Sequence, residues 1–224
     1  MIFGKYEKET VSFLKKEIKP DMTVLDIGAH IGYFTRILAK LVGPNGLVLA
    51  FEPEEENFKM LRDNTAHLRN VKAYKLAVSN KAGAIDFYLS GGRSGNHSSV
   101  AGVVPDQKKI TVSSVVLDYF LEKEKISKVD FIKMDIEGGE PKALDGMKVI
   151  LLNNENIVLM SEFAPAWLKA AGTEPLDYLQ NFKSLNFKVF AILNNGLLPF
   201  APENEAEMRA AMHSYFINIY CRRN

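Results

Sequence analysis

An α/β domain with a mostly parallel central sheet is the fold class this sequence predicts, and three observations carry the prediction. Short apolar runs alternate with stretches of helical periodicity between Met22 and Val78. The connections between them span only a few residues, as right-handed β-α-β crossovers require. The same alternation resumes at Val129 after a glycine- and serine-rich excursion, with no linker between the two stretches. A chain of 224 residues suffices for one sizeable core, so this is read as a single domain.

The elements follow in order. Tyr6, Thr10, Phe13, Leu14 and Ile18 recur at helical spacing among Lys and Glu residues until Pro20. Residues 1–20 are therefore expected to carry a helix packed on the domain that fills 21–224. "MTVLDI" is nearly continuous in apolar character, as a strand buried on both faces should be. Ile31, Phe34, Ile37, Leu38 and Leu41 return to helical spacing, and "GPNG" stops them. "LVLAFE" is a second buried strand. "PEEENFKMLRDNTAHL" is a helix with Pro53 at its start and acids in its first turn. "VKAYKLAV" is a third strand.

The rhythm then changes. "KAGAIDFYLS" and "KKITVSSVVL" read as strands flanking "GGRSGNHSSVAGVVPDQ". Residues 90–107 are expected to form an inserted lid or acceptor loop, because binding function gathers on loops placed by a rigid scaffold. "VDFIKMDI", a helix over Pro141–Leu152, "NIVLMSEF", a helix over Pro175–Leu185 and "FKVFAIL" resume the alternation. An Ala/Glu/Met-rich helical segment precedes the last apolar stretch, "HSYFINIY".

Composition excludes several classes. The 28 basic and 27 acidic side chains give a net charge of +1, which argues against a nucleic-acid binder held by a broad basic field. The Asn/Asp-Pro-Pro-aromatic tetrapeptide of base methylation is absent from the sequence. No apolar run approaches the roughly 20 residues of a membrane span. The N-terminus alternates charge with apolar residues and so lacks the continuous core of a signal peptide. The lone Cys221 cannot form an internal disulfide and suits a reducing compartment. The expectation is a cytoplasmic protein with neither nucleic acid nor membrane as partner. Oligomeric state leaves no signal.

Ligands of open parallel sheets bind at the carboxyl ends of the strands. Asp26 and Glu52 end the first two strands, 26 positions apart. Gly28 and Gly32 let the backbone approach a ligand closely. An acid at the second position can accept two hydrogen bonds from a ribose diol. A pyrophosphate carrier favours G-x-G-x-x-G, whereas this turn reads D-x-G-x-x-x-G with His30 inside it. The extra carboxylate repels a pyrophosphate and suits a ligand with an ammonium group. S-adenosylmethionine, which has an ammonium, a sulfonium and a ribose but no phosphate, fits that chemistry better than NAD.

"VLDIGAHIGYFTRILAKLVGPNGLVLAFEPEEENFKMLRDN", "KLAVSN", "DFIKMDIEGGEPKALDGM" and "SEF" together resemble the FkbM-type family of S-adenosylmethionine-dependent methyltransferases. The resemblance spans roughly Val24 to Phe163, and "FEP" and "KMDIEG" are its most specific parts. It implies a class I, Rossmann-like methyltransferase fold with a seven-stranded sheet of order 3-2-1-4-5-7-6 and an antiparallel last strand, here "HSYFINIY". It further implies O-methylation of a hydroxyl on a small molecule or glycan, with S-adenosylhomocysteine as product. Carried onto this chain, it places Asp26, Gly28 and Gly32 around the methionine part of the cofactor, with Ala29, His30 and Tyr33 in the same turn. Glu52, beside Pro53, would meet the ribose, and the backbone at Ala77 and Val78 the adenine edge. Asp135 would face the methyl group and Glu137 the acceptor. His30 departs from the Asn more usual at its position.

A hydroxyl acceptor needs a base or a metal to become nucleophilic. The candidates are Asp135, Glu137, Glu162 and His97, the imidazole of the excursion. Lys133 and Glu140 lie in the same cluster, Glu140 reading as a first-turn helix residue. Three converging carboxylates would form an oxygen-only set of the kind that holds Mg²⁺. No His joins them at helical spacing, and no metal ligand is assigned. Trp167 follows the fifth core strand, where it either packs or stacks on an acceptor. Two rivals share the β-α-β unit: an NAD-binding oxidoreductase or epimerase, which would want a third motif glycine, and a non-catalytic domain that keeps the pocket as scaffold.

Overall fold

The computed structural model describes residues 8–91, 97–102, 106–193, 196–200 and 216–223. The first half runs α1 (Lys8–Glu17), β1 (Thr23–Ile27), α2 (Tyr33–Val42), β2 (Leu47–Phe51), α3 (Glu55–Thr65), β3 (Val71–Tyr74), β4 (Ala77–Val78), β5 (Gly83–Leu89) and β6 (Lys108–Val115). The second half runs α4 (Leu117–Lys123), β7 (Phe131–Met134), α5 (Glu140–Asp145), α6 (Lys148–Asn153), β8 (Val158–Phe163), α7 (Pro165–Ala170), α8 (Pro175–Ser184), β9 (Lys188–Leu193), β10 (Gly196–Pro199) and β11 (Ile217–Arg222).

The main sheet has the order β10-β9-β11-β8-β7-β1-β2-β3. Neighbours from β3 to β8 are parallel, and β11 runs antiparallel between β8 and β9. These strands reproduce the expected order of seven; β10 adds an eighth, hairpinned onto the edge of β9. Strand residues alternate between two cores, as the pleat demands. Val24, Val48, Phe131 and Met160 pack under Leu14 and Ile18, at the α1 end of the chain, and Phe34 and Leu38 of α2. Leu25, Leu49, Ile132 and Leu159 face Leu117 and Leu121 of α4, Leu151 of α6 and Phe182 of α8. With both faces covered, the parallel strands are largely apolar, and the charged Asp26 of β1 and Lys133 of β7 are buried within them.

The structure corrects the sequence reading at several points. "VKAYKLAV" is not one strand: β3 ends at Tyr74, and β4 leaves the main sheet to pair with β6 in a small second sheet of order β4-β6-β5. β3 lies at the edge of the main sheet, and the buried Ala77 and Val78 find partners in β6 instead. The helix expected over Pro141–Leu152 breaks at Gly146. A Cβ there would lie 2.3 Å from the carbonyl oxygen of Ser79, and the Gly146 carbonyl accepts the Asp118 N–H at 3.0 Å. Leu117, read as the end of a strand, starts α4, and α7 and β10 were not anticipated. The Ala/Glu/Met-rich segment and the first three residues of the expected strand "HSYFINIY", His213 among them, lie outside the described residues, as do residues 92–96 and 103–105 of the excursion.

Candidate active site

β1 ends in a turn that must be bare. Gly28 has φ +81°, and a Cβ on it would sit 1.8 Å from the backbone oxygen of Asp135. Both Gly28 and Ala29 donate their N–H groups to the Phe51 carbonyl at 3.0 Å, and Asp135 N–H donates to Ile27 at 3.0 Å. The carboxyl ends of β1, β2 and β7 are thereby stitched together, which leaves no room for a side chain at position 28. Gly32, at φ +86°, starts α2 against Leu61 of α3.

Glu52 is the second fixed point. Its two carboxylate oxygens accept one N–H each, from His30 at 2.9 Å and from Glu54 at 3.0 Å. His30 adopts φ +49° to make that bond. Burial raises the Glu52 pKa to about 7 against the lowering effect of these donors. A carboxylate oxygen has lone pairs to spare, so each can still accept from a ligand.

Asp26 lies beneath this turn, fully buried. It is the register partner of Lys133 on β7. The Lys133 ammonium stands 3.7 Å from Asp26 Oδ1, and Thr35 Oγ1 donates to Oδ2 at 2.6 Å. Oδ1 accepts no hydrogen bond. Burial raises the Asp26 pKa, and the nearby Lys133 charge opposes that rise. Lys133 also stands 3.4 Å from Asp135 Oδ2 and lies over the Phe34 ring. A lysine inside the apolar run "DFIKM" was the available signal, since a buried charge requires a partner. The sequence reading noted Lys133 but did not pair it.

The ends of β7 and β8 carry the remaining acids. Asp135, Glu137 and Glu162 bring carboxylate oxygens within 4.8 Å of one another. Glu137 takes φ +57°, which sets its carboxyl beside that of Glu162. Burial, together with Asp135 and Glu140, pushes the Glu137 pKa up to about 9. Glu162 is likewise raised, by burial first and then by the same neighbouring acids. Glu140 caps the turn: Oε1 accepts Ile136 N–H and Oε2 accepts Gly138 N–H, both at 2.9 Å. Its role is therefore structural, and its burial raises its pKa to about 7.

An open cleft of about 550 Å³, counted out to solvent, lies over these strand ends. On one side it is lined by Gly28, His30, Glu52, Pro53, Ala77 and Val78, and on the other by His97, Asp135 and Glu137. Asn57, Phe87 and Ser99 also line it, and nothing in the sequence singled them out. Asp26, Ala29, Gly32, Tyr33 and Glu162 are not among the lining residues; Ala29 packs on Ala50 and Leu61, and Tyr33 meets the Phe34 ring edge-on. Trp167 is half-buried on α7 with its backbone against Gly138. His97 Nδ1 accepts the Ser90 N–H at 3.0 Å. Burial lowers the pKa of both His30 and His97, so both imidazoles are neutral near pH 7. An oxidoreductase or epimerase would also want a Tyr-x-x-x-Lys pair; the chain has that spacing at Tyr119 and Lys123 of α4, but Tyr119 is 72% exposed and does not line the cleft.

Comparison with known proteins agrees with this geometry. Residues 26–189 match the methyltransferase FkbM domain. The chain is 29% identical over 161 residues to the 2-O-methyltransferase NoeI of Sinorhizobium fredii, covering 66% of this chain and 65% of that protein. It is 26% identical over 173 residues to the hexuronic acid methyltransferase AglP of Haloferax volcanii, covering 76% and 65%. The match thus spans just under two thirds of the length of these relatives. Among solved structures, an rRNA methylase from Streptococcus thermophilus aligns with a TM-score of 0.54 at 12% identity, over 100% of both chains. A precorrin-6y C5,15-methyltransferase from Geobacter metallireducens aligns at 0.54 and 14%, over 96% and 86%. These likenesses show the class I methyltransferase fold. On the match across residues 26–189, the chain belongs to the FkbM methyltransferase domain family.

Proposed function

We propose that the protein transfers a methyl group from S-adenosylmethionine to a hydroxyl of a small molecule or glycan. One observation carries the reading: the cleft at the ends of β1, β2 and β7 is lined by the carboxyls of Glu52, Asp135 and Glu137 and by two neutral imidazoles. Such a lining disfavours a pyrophosphate and suits a ligand with a cationic centre and ribose hydroxyls. S-adenosylmethionine fits it, and when bound supplies an electrophilic methyl group on a sulfonium.

The residues that would hold it are the Gly28–His30 turn, Glu52 beside Pro53, the Ala77–Val78 segment and Asp135. Asp26 supports the turn from below through Lys133 and Thr35. On the acceptor side, Asp135 and Glu137 reach the cleft and Glu162 stands behind them. Glu137 keeps its own proton near neutral pH, so the acceptor's proton passes to Asp135. With Nδ1 accepting from Ser90, neutral His97 carries its hydrogen on Nε2 and offers a donor, which leaves the base role to the carboxyls. His97 and Ser99 of the excursion would contribute the acceptor wall. The acid trio could also ligate a divalent cation.

Calorimetric titration with S-adenosylhomocysteine, set beside NAD⁺, tests the reading. Micromolar binding of the first alone is expected, weakened in Glu52→Gln. Affinity should rise about tenfold between pH 6 and pH 8, because a ligand donating to Glu52 selects its ionised form. Binding of NAD⁺ instead, or of neither, would overturn the assignment.

A further inference from the structure

The glycine-rich excursion meets the acid cluster through one hydroxyl. Ser98 is fully buried and lies along the free edge of β5, exchanging backbone hydrogen bonds with Tyr88 at 2.7 and 3.0 Å. Its Oγ donates to the Glu137 carbonyl at 2.5 Å and accepts the Val100 N–H at 3.0 Å. The residues on either side of it, His97 and Ser99, line the cleft.

The turn it grips is an unusual one. Glu137 and Gly138 are consecutive left-handed residues, and the first is not glycine. From inside, Glu140 ties the N–H groups of Ile136 and Gly138, and Gly139 N–H donates to Ile136 at 3.2 Å. Those bonds hold the peptides around Glu137. The carbonyl of Glu137 and the N–H of Gly138 belong to one planar peptide, so Ser98 and Glu140 grip that peptide from its two edges and together fix the backbone that aims the Glu137 carboxyl. We propose that Ser98 is the positioning residue for Glu137, holding its carbonyl so that the carboxyl stays in the cleft against Glu162.

The consequence for function rests on the methyltransferase reading; the positioning itself does not. The groups facing Glu137 are Asp135 and Lys133 from the β7 end, Glu140 from α5 and Glu162 from β8. If the left-handed turn relaxes, Glu137 leaves that cluster for water, and its carboxyl returns toward the ordinary range.

The test is a ¹³C NMR titration of glutamate-labelled protein, with the Glu137 resonance assigned by its loss in Glu137→Gln. Glu137 should titrate well above the ordinary carboxyl range in the native chain. In Ser98→Ala it should fall by at least about one pH unit, and Ser98→Thr, which keeps the hydroxyl, should restore most of the elevation. Turnover supplies a second readout: Ser98→Ala should lower kcat by roughly tenfold or more while affinity for S-adenosylhomocysteine stays unchanged. An unshifted Glu137 titration in Ser98→Ala, or a shift that Ser98→Thr reproduces in full, would overturn the positioning role. Absence of S-adenosylhomocysteine binding alongside the expected NMR shifts would overturn the methyltransferase reading and leave the positioning role standing.

Discussion

The two ends of the cleft are built on the same sheet and use the same chemical group, yet they handle it in opposite ways. At the ends of β1 and β2, each carboxylate has partners of its own. Asp26 has Thr35 and Lys133, and Glu52 has the N–H groups of His30 and Glu54. At the ends of β7 and β8, Glu137 and Glu162 have chiefly each other, with Asp135 alongside and Lys133 as the nearby cation. The first arrangement is rigid and finished before any ligand arrives. The second is crowded with like charge, and burial together with the neighbouring acids raises the pKa of both Glu137 and Glu162. Pre-organised donors and acceptors suit binding, while carboxyls of raised pKa suit proton exchange near neutral pH. Lys133 belongs to both halves, which makes it the natural place to probe the contrast.

The largest effect should come from the rigid half. Gly28→Ala puts a methyl where the Asp135 carbonyl already stands and forces a left-handed backbone on alanine. We expect destabilisation on the order of 4 kcal/mol, read by urea denaturation. A variant that melts like the native protein would mean that the β1 and β7 ends can separate freely.

Lys133→Met comes next. Removing the ammonium strands a buried Asp26 carboxylate, at a cost of roughly 3–5 kcal/mol. Adding Asp26→Leu to the same chain should recover much of the loss, since a buried ion pair replaced by apolar groups is often neutral. No recovery in the double variant would show that Asp26 supports the turn through Thr35 rather than through Lys133.

The smallest effect sharpens the other half. Glu137, with a folded pKa of about 9, lies above the ordinary 4.5, so the folded state holds its proton where the unfolded chain has lost it. Stability from this group is complete below pH 4.5 and drains away as pH climbs through 9. Glu52 and Glu140 act in the same direction but are spent near pH 7. His30 and His97, lowered by burial, oppose them only up to about pH 6.5. Between pH 7 and pH 9 the ligand-free protein should therefore lose at most about 1.4 kcal/mol per pH unit through Glu137. Calorimetric melting should show that slope flattened in Glu137→Gln. A slope unchanged by the substitution would place the raised carboxyl elsewhere in the cluster.

Most of the rigid half was legible in the chain. Apolar runs ending in Asp26 and Glu52, with Gly28 and Gly32 between them, are local patterns that report on strand ends and a bare turn. The reading of Asp26 still missed its partner, because pairing across β1 and β7 depends on register, and register joins residues more than a hundred positions apart. The same limit hid the break at Gly146, which the Ser79 backbone imposes from just beyond β4. It also hid the departure of β4 into a second sheet, which β6 makes available.

The class of fold and the residues at the carboxyl ends of the core strands could be read from the chain, since hydrophobic period and turn chemistry act over a few neighbours. The order of the strands in the sheet was implied only by the family resemblance. Tertiary structure alone decided which of those acids line the cleft and which lie beneath it. It also decided that Glu140 is a cap and that the carboxyls of Glu137 and Glu162 stand together. Burial and distance set the charge of a carboxyl, and both are properties of packed neighbours that the linear order of residues does not contain.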